Sequence, residues 1–141
     1  MRSYPAKFRK TPEGRVAVTF RDVPEAITEG DDAAEAMVRA ADALETALSF
    51  YIDAREDLPA PSRARRGERM VDLSAIGMAK TALHAAMMEE GVNRAALARR
   101  LGCHLEQVSR LLDLTHASKF EVLERALAAV GRRMIVVTEA A

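Results

Sequence analysis

The chain of 141 residues has no tryptophan, a single cysteine, 4% aromatic residues and no net charge. One cysteine, Cys103, excludes an internal disulfide and a cysteine-cluster zinc site. No apolar run approaches the ~20 residues of a membrane-crossing helix, and Met1-Arg2-Ser3-Tyr4-Pro5 is not followed by the apolar core of a secretion signal. These absences predict a protein of the reducing cytoplasm, neither secreted nor membrane-spanning, with no cofactor. What is present is the ordinary balance of a globular protein, 49% apolar and 30% charged. The length suits one domain or two very small ones.

Zero net charge hides an asymmetry. Residues 1–62 hold 8 Lys/Arg against 12 Asp/Glu, and residues 63–141 hold 13 against 9. Most of that second excess is concentrated in Arg63, Arg65, Arg66 and Arg69. An anionic partner is the more natural fit for the second half.

The first thirty residues read as strands. Tyr4, Ala6 and Phe8 alternate with Pro5, Lys7 and Arg9, and Val16, Val18 and Phe20 alternate with Ala17 and Thr19. That is the period of a sheet with one buried face. Thr11-Pro12-Glu13-Gly14 supplies a hairpin loop, and residues 26–29 offer a third strand. A long helix follows, capped by Asp31 or Asp32, with Met37, Ala40, Leu44, Leu48, Tyr51 and Ile52 on one stripe and a stop near Leu58-Pro59. Residues 63–73 read as a linker, in which Met70-Val71-Asp72-Leu73 could add one more strand. The fold class expected is α+β: a small βββα domain over 1–62, then an all-α domain over 74–141.

From Ser74 the pattern is helical. Ile76, Ala79, Leu83 and Met87 form a stripe ended by Gly91; Asn93 caps a helix ended by Gly102; a third helix runs from Leu105 to Leu112. Ser118-Lys119-Phe120-Glu121 reads as a capping box opening a fourth, with Phe120, Leu123, Leu127 and Val130 inward and Gly131 as the stop. Met134-Ile135-Val136-Val137 is β-prone without a partner in its own domain, a frayed end or a strand for pairing with a second copy.

The strongest local signal is Leu97-Ala98-Arg99-Arg100-Leu101-Gly102 followed by Val108-Ser109-Arg110-Leu111-Leu112. Ala98 keeps the first helix thin, Gly102 supplies the left-handed turn residue, and Leu101, Val108 and Leu111 or Leu112 fill the angle between the helices. This resembles the helix-turn-helix of phage-repressor and Xre-type regulators over residues 93–131. Its second helix presents His104, Leu105, Glu106, Gln107, Ser109 and Arg110. Gln107 and Arg110 are the expected base readers, with Asn93, Arg94, Ser109 and Lys119 toward phosphates. Weak net charge and Glu106 on that face imply binding as a dimer, with the linker arginines adding phosphate attraction.

The first half carries a second resemblance. Tyr4-Pro5-Ala6 and Phe8, Phe20-Arg21-Asp22-Val23-Pro24, Thr28-Glu29-Gly30-Asp31, Glu35-Ala36, Ala43-Leu44 and Leu58-Pro59-Ala60-Pro61-Ser62 are similar to the HicB antitoxin family. Arg21, Val23, Glu25 and Asp32 depart from that family's usual loop. The resemblance implies a partial ribonuclease-H-like domain joined to a DNA-binding domain. It also implies a HicA-type toxin partner, a small mRNA-cleaving protein whose active surface the antitoxin covers, and repression of the operon through operator DNA. An acidic first half suits a toxin that must be basic to hold RNA. The expected toxin contacts are Tyr4, Phe20, Asp22, Pro24, Glu25 and Glu29, with Tyr4 and the 22–29 region exposed.

Two other readings stand beside this one. A free-standing regulator would use the first domain to sense a small molecule or another protein. A remnant nuclease would need Asp22, Asp31, Asp32 and Glu35 around metal ions. Turn and cap positions for these acids argue against catalysis, and no enzyme is expected. His84, His104 and His116 lack metal-ligand spacing, Cys103 reads as a small buried residue, and the methionines read as core and interface filler.

Overall fold

The computed structural model describes residues 3–141. The chain divides into two compact units, Met1–Met78 and Ala79–Ala141, and the division falls inside one helix.

In the first unit, β1 (Ser3–Lys10), β2 (Val16–Thr19), β3 (Ile27–Gly30) and β4 (Glu68–Asp72) form an antiparallel sheet in the order β3-β2-β1-β4. The sheet therefore has four strands rather than three. β4 supplies the extra strand that Met70-Val71-Asp72-Leu73 offered within the linker, two residues earlier at its start, and it pairs with β1 from Ser3↔Asp72 to Lys7↔Glu68. The period-2 pattern sets the faces. Tyr4, Ala6, Val18 and Val71 are buried toward the helix α1 (Ala33–Asp53), whose Ala36, Ala40, Leu44, Ala47, Leu48 and Ile52 complete the core. Gly30 is required where β3 meets α1, because a Cβ there would lie 2.4 Å from the Ala36 nitrogen.

Asp32, not Asp31, caps α1: its Oδ1 accepts from the Glu35 N–H at 2.8 Å, while Glu35 accepts from the Asp31 N–H at 2.7 Å. The helix ends at Asp53, ahead of the expected stop at Leu58-Pro59. Arg55 takes a left-handed φ of 57°, and the Glu56 N–H donates to the Tyr51 carbonyl while the Arg55 N–H donates to that of Ile52. This is a Schellman ending with arginine in the place usually held by glycine.

The helices continue as α2 (Ala75–Glu90), α3 (Arg94–Leu101), α4 (Leu105–Leu112) and α5 (Phe120–Ala129). Gly91, Gly102 and Gly131 all have positive φ and close the same pair of hydrogen bonds at the ends of α2, α3 and α5. The core of the second unit is Leu83, Leu97, Val108, Leu111, Leu112, Leu123, Leu127 and Val130. Phe120, expected inward, is exposed: it is the first residue of α5, a turn away from the buried Leu123. The expected capping box is also not made. Lys119 occupies the N-cap position without a side-chain cap, and the Ser118 hydroxyl instead reaches the Arg110 carbonyl at 3.5 Å. After Gly131 the chain has no regular secondary structure, and Ile135, Val136 and Val137 are exposed. No helix among the described residues is long and apolar enough to cross a membrane.

Candidate functional site

The second unit builds a helix-turn-helix from local chemistry. The Asn93 Oδ1 accepts from the Ala96 N–H at 2.8 Å and starts α3; Gly102, at φ 62° and ψ 37°, turns the chain into α4. Val108, Leu111 and Leu112 bury one side of α4, leaving His104, Leu105, Glu106, Gln107 and Arg110 exposed on the other. Those five residues border one hollow of about 600 Å³. Gln107, Arg110 and Lys119 also line a second hollow of about 300 Å³ with Leu101, Leu111 and Val122. The fold thus gathers His104, Leu105, Glu106, Gln107 and Arg110 on one surface, while Ser109, also expected to face DNA, is half-buried and lines neither hollow. The Arg110 guanidinium has no ion-pair partner among the described residues.

Two of these side chains have structural duties that spacing did not reveal. The Gln107 Oε1 accepts the His104 N–H at 2.8 Å, which commits its carbonyl to the start of α4. Adenine reading by a glutamine uses both ends of the amide, so Arg110 is the better-placed base reader. The Arg94 guanidinium donates to the Ser109 hydroxyl at 3.3 Å, joining the two residues expected at phosphates across the two helices. Lys119 is exposed at the N-cap of α5, and Asn93 is held as a cap.

Missed altogether from the sequence was Lys80. It is fully buried on α2, with Nζ donating to the carbonyls of Arg110, Asp113 and His116 at 2.8, 2.6 and 2.6 Å. Burial pulls its pKa below the usual lysine value, against the opposing charge of Asp113. A lysine on an otherwise apolar stripe is the only sequence mark of this site.

In the first unit, the structure redistributes the expected toxin contacts. Tyr4 and Phe20 are not surface residues: they are 0% and 2% exposed, Tyr4 on the sheet face that α1 covers and Phe20 just past the end of β2. The Tyr4 hydroxyl donates to the Pro59 carbonyl at 2.7 Å, and its pKa is pushed up to about 12, chiefly by burial and then by Asp22 and Tyr51. Asp22 is nearly covered. It accepts from the Ser62 N–H and hydroxyl at 2.7 and 2.8 Å, and these bonds with the nearby Arg21 outweigh burial and hold its pKa below the usual aspartate value. Pro24 and Glu25 are exposed, with Glu25 accepting from the Tyr51 hydroxyl at 2.6 Å. Glu29 is half-buried in an ion pair with Arg15 at 2.9 Å.

The arginine-rich segment also belongs to the first unit. Arg21 donates to both oxygens of Glu68 and to the Arg63 carbonyl, the Arg65 N–H reaches Glu68 at 2.7 Å, and Arg69 lies 5.2 Å from the centre of the Phe8 ring. Arg63 and Arg65 make these bonds through main-chain atoms, and the side chains of Arg63, Arg65 and Arg66 are exposed. Counted by unit, the charge is −2 for residues 1–78, with 12 Lys/Arg and 14 Asp/Glu, and +2 for residues 79–141, with 9 and 7. Among the described residues no three His, Cys, Asp or Glu side chains are grouped to hold a metal ion.

Comparison with known proteins agrees with this architecture. Residues 3–82 match the family described as the HicB-like antitoxin of bacterial toxin–antitoxin systems. The chain is similar to Antitoxin HicB of Pseudomonas fluorescens, at 42% identity over 91% of this chain and 88% of that one. It is similar to Antitoxin HicB 2 of Photorhabdus laumondii, at 39% over 95% and 94%. Antitoxin HicB of Escherichia coli K12 is 35% identical over 95% and 97%.

Proposed function

The chain belongs to the HicB antitoxin family of bacterial toxin–antitoxin systems, and from that premise we propose how its two units divide the work. The first unit neutralises a HicA-type mRNA-cleaving toxin by covering its active surface. The second binds operator DNA as a homodimer and represses the operon that encodes the pair. The protein acts in the cytoplasm by binding, not by catalysis.

One observation carries the DNA-binding part: α4 exposes His104, Leu105, Glu106, Gln107 and Arg110 together beyond a Gly102 turn. A helix offered in this way fits a major groove, with Arg110 to read guanine and Lys119 to hold a phosphate. A net charge of only +2 on the unit makes monomeric affinity weak. Two copies on a palindrome double the contacts. The exposed Ile135, Val136 and Val137 are the segment for pairing between copies. For the toxin, Pro24, Glu25 and Glu29 are the contact residues that remain accessible, and the acidic balance of the first unit suits a basic partner.

The test is a growth rescue. The short reading frame beside this gene is expressed alone and then with the full chain. Toxicity relieved by co-expression supports the antitoxin reading, and a harmless neighbour points to a free-standing regulator. Repression of a reporter driven by the upstream region, lost in Arg110→Ala, tests the operator reading separately.

A further inference from the structure

A buried ammonium needs an acceptor for each of its three N–H groups. Lys80 finds all three in main-chain carbonyls, with no ion pair to a carboxylate among the described residues. The three oxygens occupy particular places. Arg110 is in the last turn of α4, Asp113 is the residue that caps that helix, and His116 lies in the loop leading to Lys119 at the start of α5. Carbonyls at a helix C-terminus lack helical partners and carry the negative end of the helix dipole, so a cation there is both solvated and oriented. One side chain on α2 thereby ties the end of α4 to the middle of the following loop.

We propose that Lys80 is the positioning residue of the DNA-reading surface. Its three bonds set the path of residues 110–118, and so the placement of Arg110 relative to Lys119. This rests on the reading of α4 as the operator-contacting helix. An apolar residue could fill the same volume, but it would remove the ammonium bond from all three carbonyls, leaving those of Arg110 and Asp113 with their turn bonds from the Asp113 and His116 N–H groups. The loop would then settle elsewhere and the base reader would lose its register with the phosphate contact.

The experiment compares full-length wild type with Lys80→Met at 10 °C, after circular dichroism has shown the variant folded. Affinity is measured for a duplex from upstream of the gene and for a scrambled duplex of the same length. Loss of a positioned base contact predicts about tenfold weaker binding to the upstream duplex, with scrambled-duplex affinity held within about twofold. Equal loss on both, or an unchanged ratio in the folded variant, overturns the assignment. Wild type with no preference for the upstream duplex would overturn the operator reading itself. If Lys80→Met does not fold, the wild-type side-chain NMR signal decides. An ammonium shielded from exchange with water, free and on the upstream duplex, supports the role. Rapid exchange in either state overturns it.

Discussion

Asp22 and Ser62, 40 residues apart in the chain, are joined by two hydrogen bonds, from the Ser62 N–H at 2.7 Å and its hydroxyl at 2.8 Å. With Tyr4 to Pro59 and Arg21 to Arg63, they hold the crossing segment against the loop after β2. Two family-like stretches, 20–24 and 58–62, thereby become one structural feature. Their residue choice is explained by each other before any partner is considered.

Replacing Asp22 by Asn should cost about 1–2 kcal/mol, because charged hydrogen bonds in a nearly covered site are worth more than neutral ones. The sign with pH follows from the lowered pKa in the folded state. The stabilisation is fully present above the ordinary aspartate value near 4. It is lost as the pH falls through the lowered folded value. Urea unfolding between pH 7 and pH 2.5 should show a smaller acid-side loss in Asp22→Asn than in wild type. Equal slopes would reject the account.

Helix endings give a pair of opposite expectations. Arg55 holds a left-handed conformation at the end of α1 with the hydrogen bonds that glycine holds after α3. Arg55→Gly should therefore stabilise the protein by about 0.5–1 kcal/mol, while Gly102→Ala should cost about 1 kcal/mol or more. Thermal or urea midpoints moving in the same direction for both would contradict this reading of the turns.

Fragments separate the contribution of β4. Residues 1–62 lack that strand and leave β1 with an open edge, whereas residues 1–78 retain Val71 and Leu73 in the core. The longer fragment should give a cooperative unfolding transition and rescue growth against the toxin. The shorter one should do neither. Rescue by 1–62 at equal expression would show that β4 is dispensable.

On DNA, Arg110→Ala should lose about 1–3 kcal/mol of discrimination at one base pair. Lys119→Ala should weaken binding to all sequences alike and reduce the salt slope by about 1. Anisotropy titrations on single-base variants at two salt concentrations distinguish the two. A uniform loss in Arg110→Ala would place that residue at a phosphate.

Truncation after Gly131 removes residues 132–141, including the exposed Ile135, Val136 and Val137 and the half-buried Arg132 that pairs with Glu89 and Glu90. Sedimentation should show a dimer for the full chain and a monomer for the truncated one. A truncated chain that remains dimeric would assign the interface to the helices.

Local signals in the sequence determined most of the elements. Alternation placed β1 and β2, the steps of three and four placed α1, α2 and α5, Asn93 and the pair Asp31-Asp32 marked helix starts, and Gly91, Gly102 and Gly131 marked helix ends. Each rests on interactions within a few residues, so the sequence displays them directly. Only the tertiary structure decided the rest, because the deciding partner lies far along the chain. The polar stretch at 68–72 becomes a strand because β1 offers it a hydrogen-bonding edge. Tyr4 leaves the surface because α1 covers its face of the sheet, Phe20 is buried just past the end of β2, and Asp22 turns inward because Ser62 arrives to meet it. Lys80 is a lone cation on the apolar stripe of α2, and its place is decided only where three carbonyls from residues 110–116 close around it. A charge is buried only where the fold supplies every bond it needs, and that supply is a property of the assembled structure.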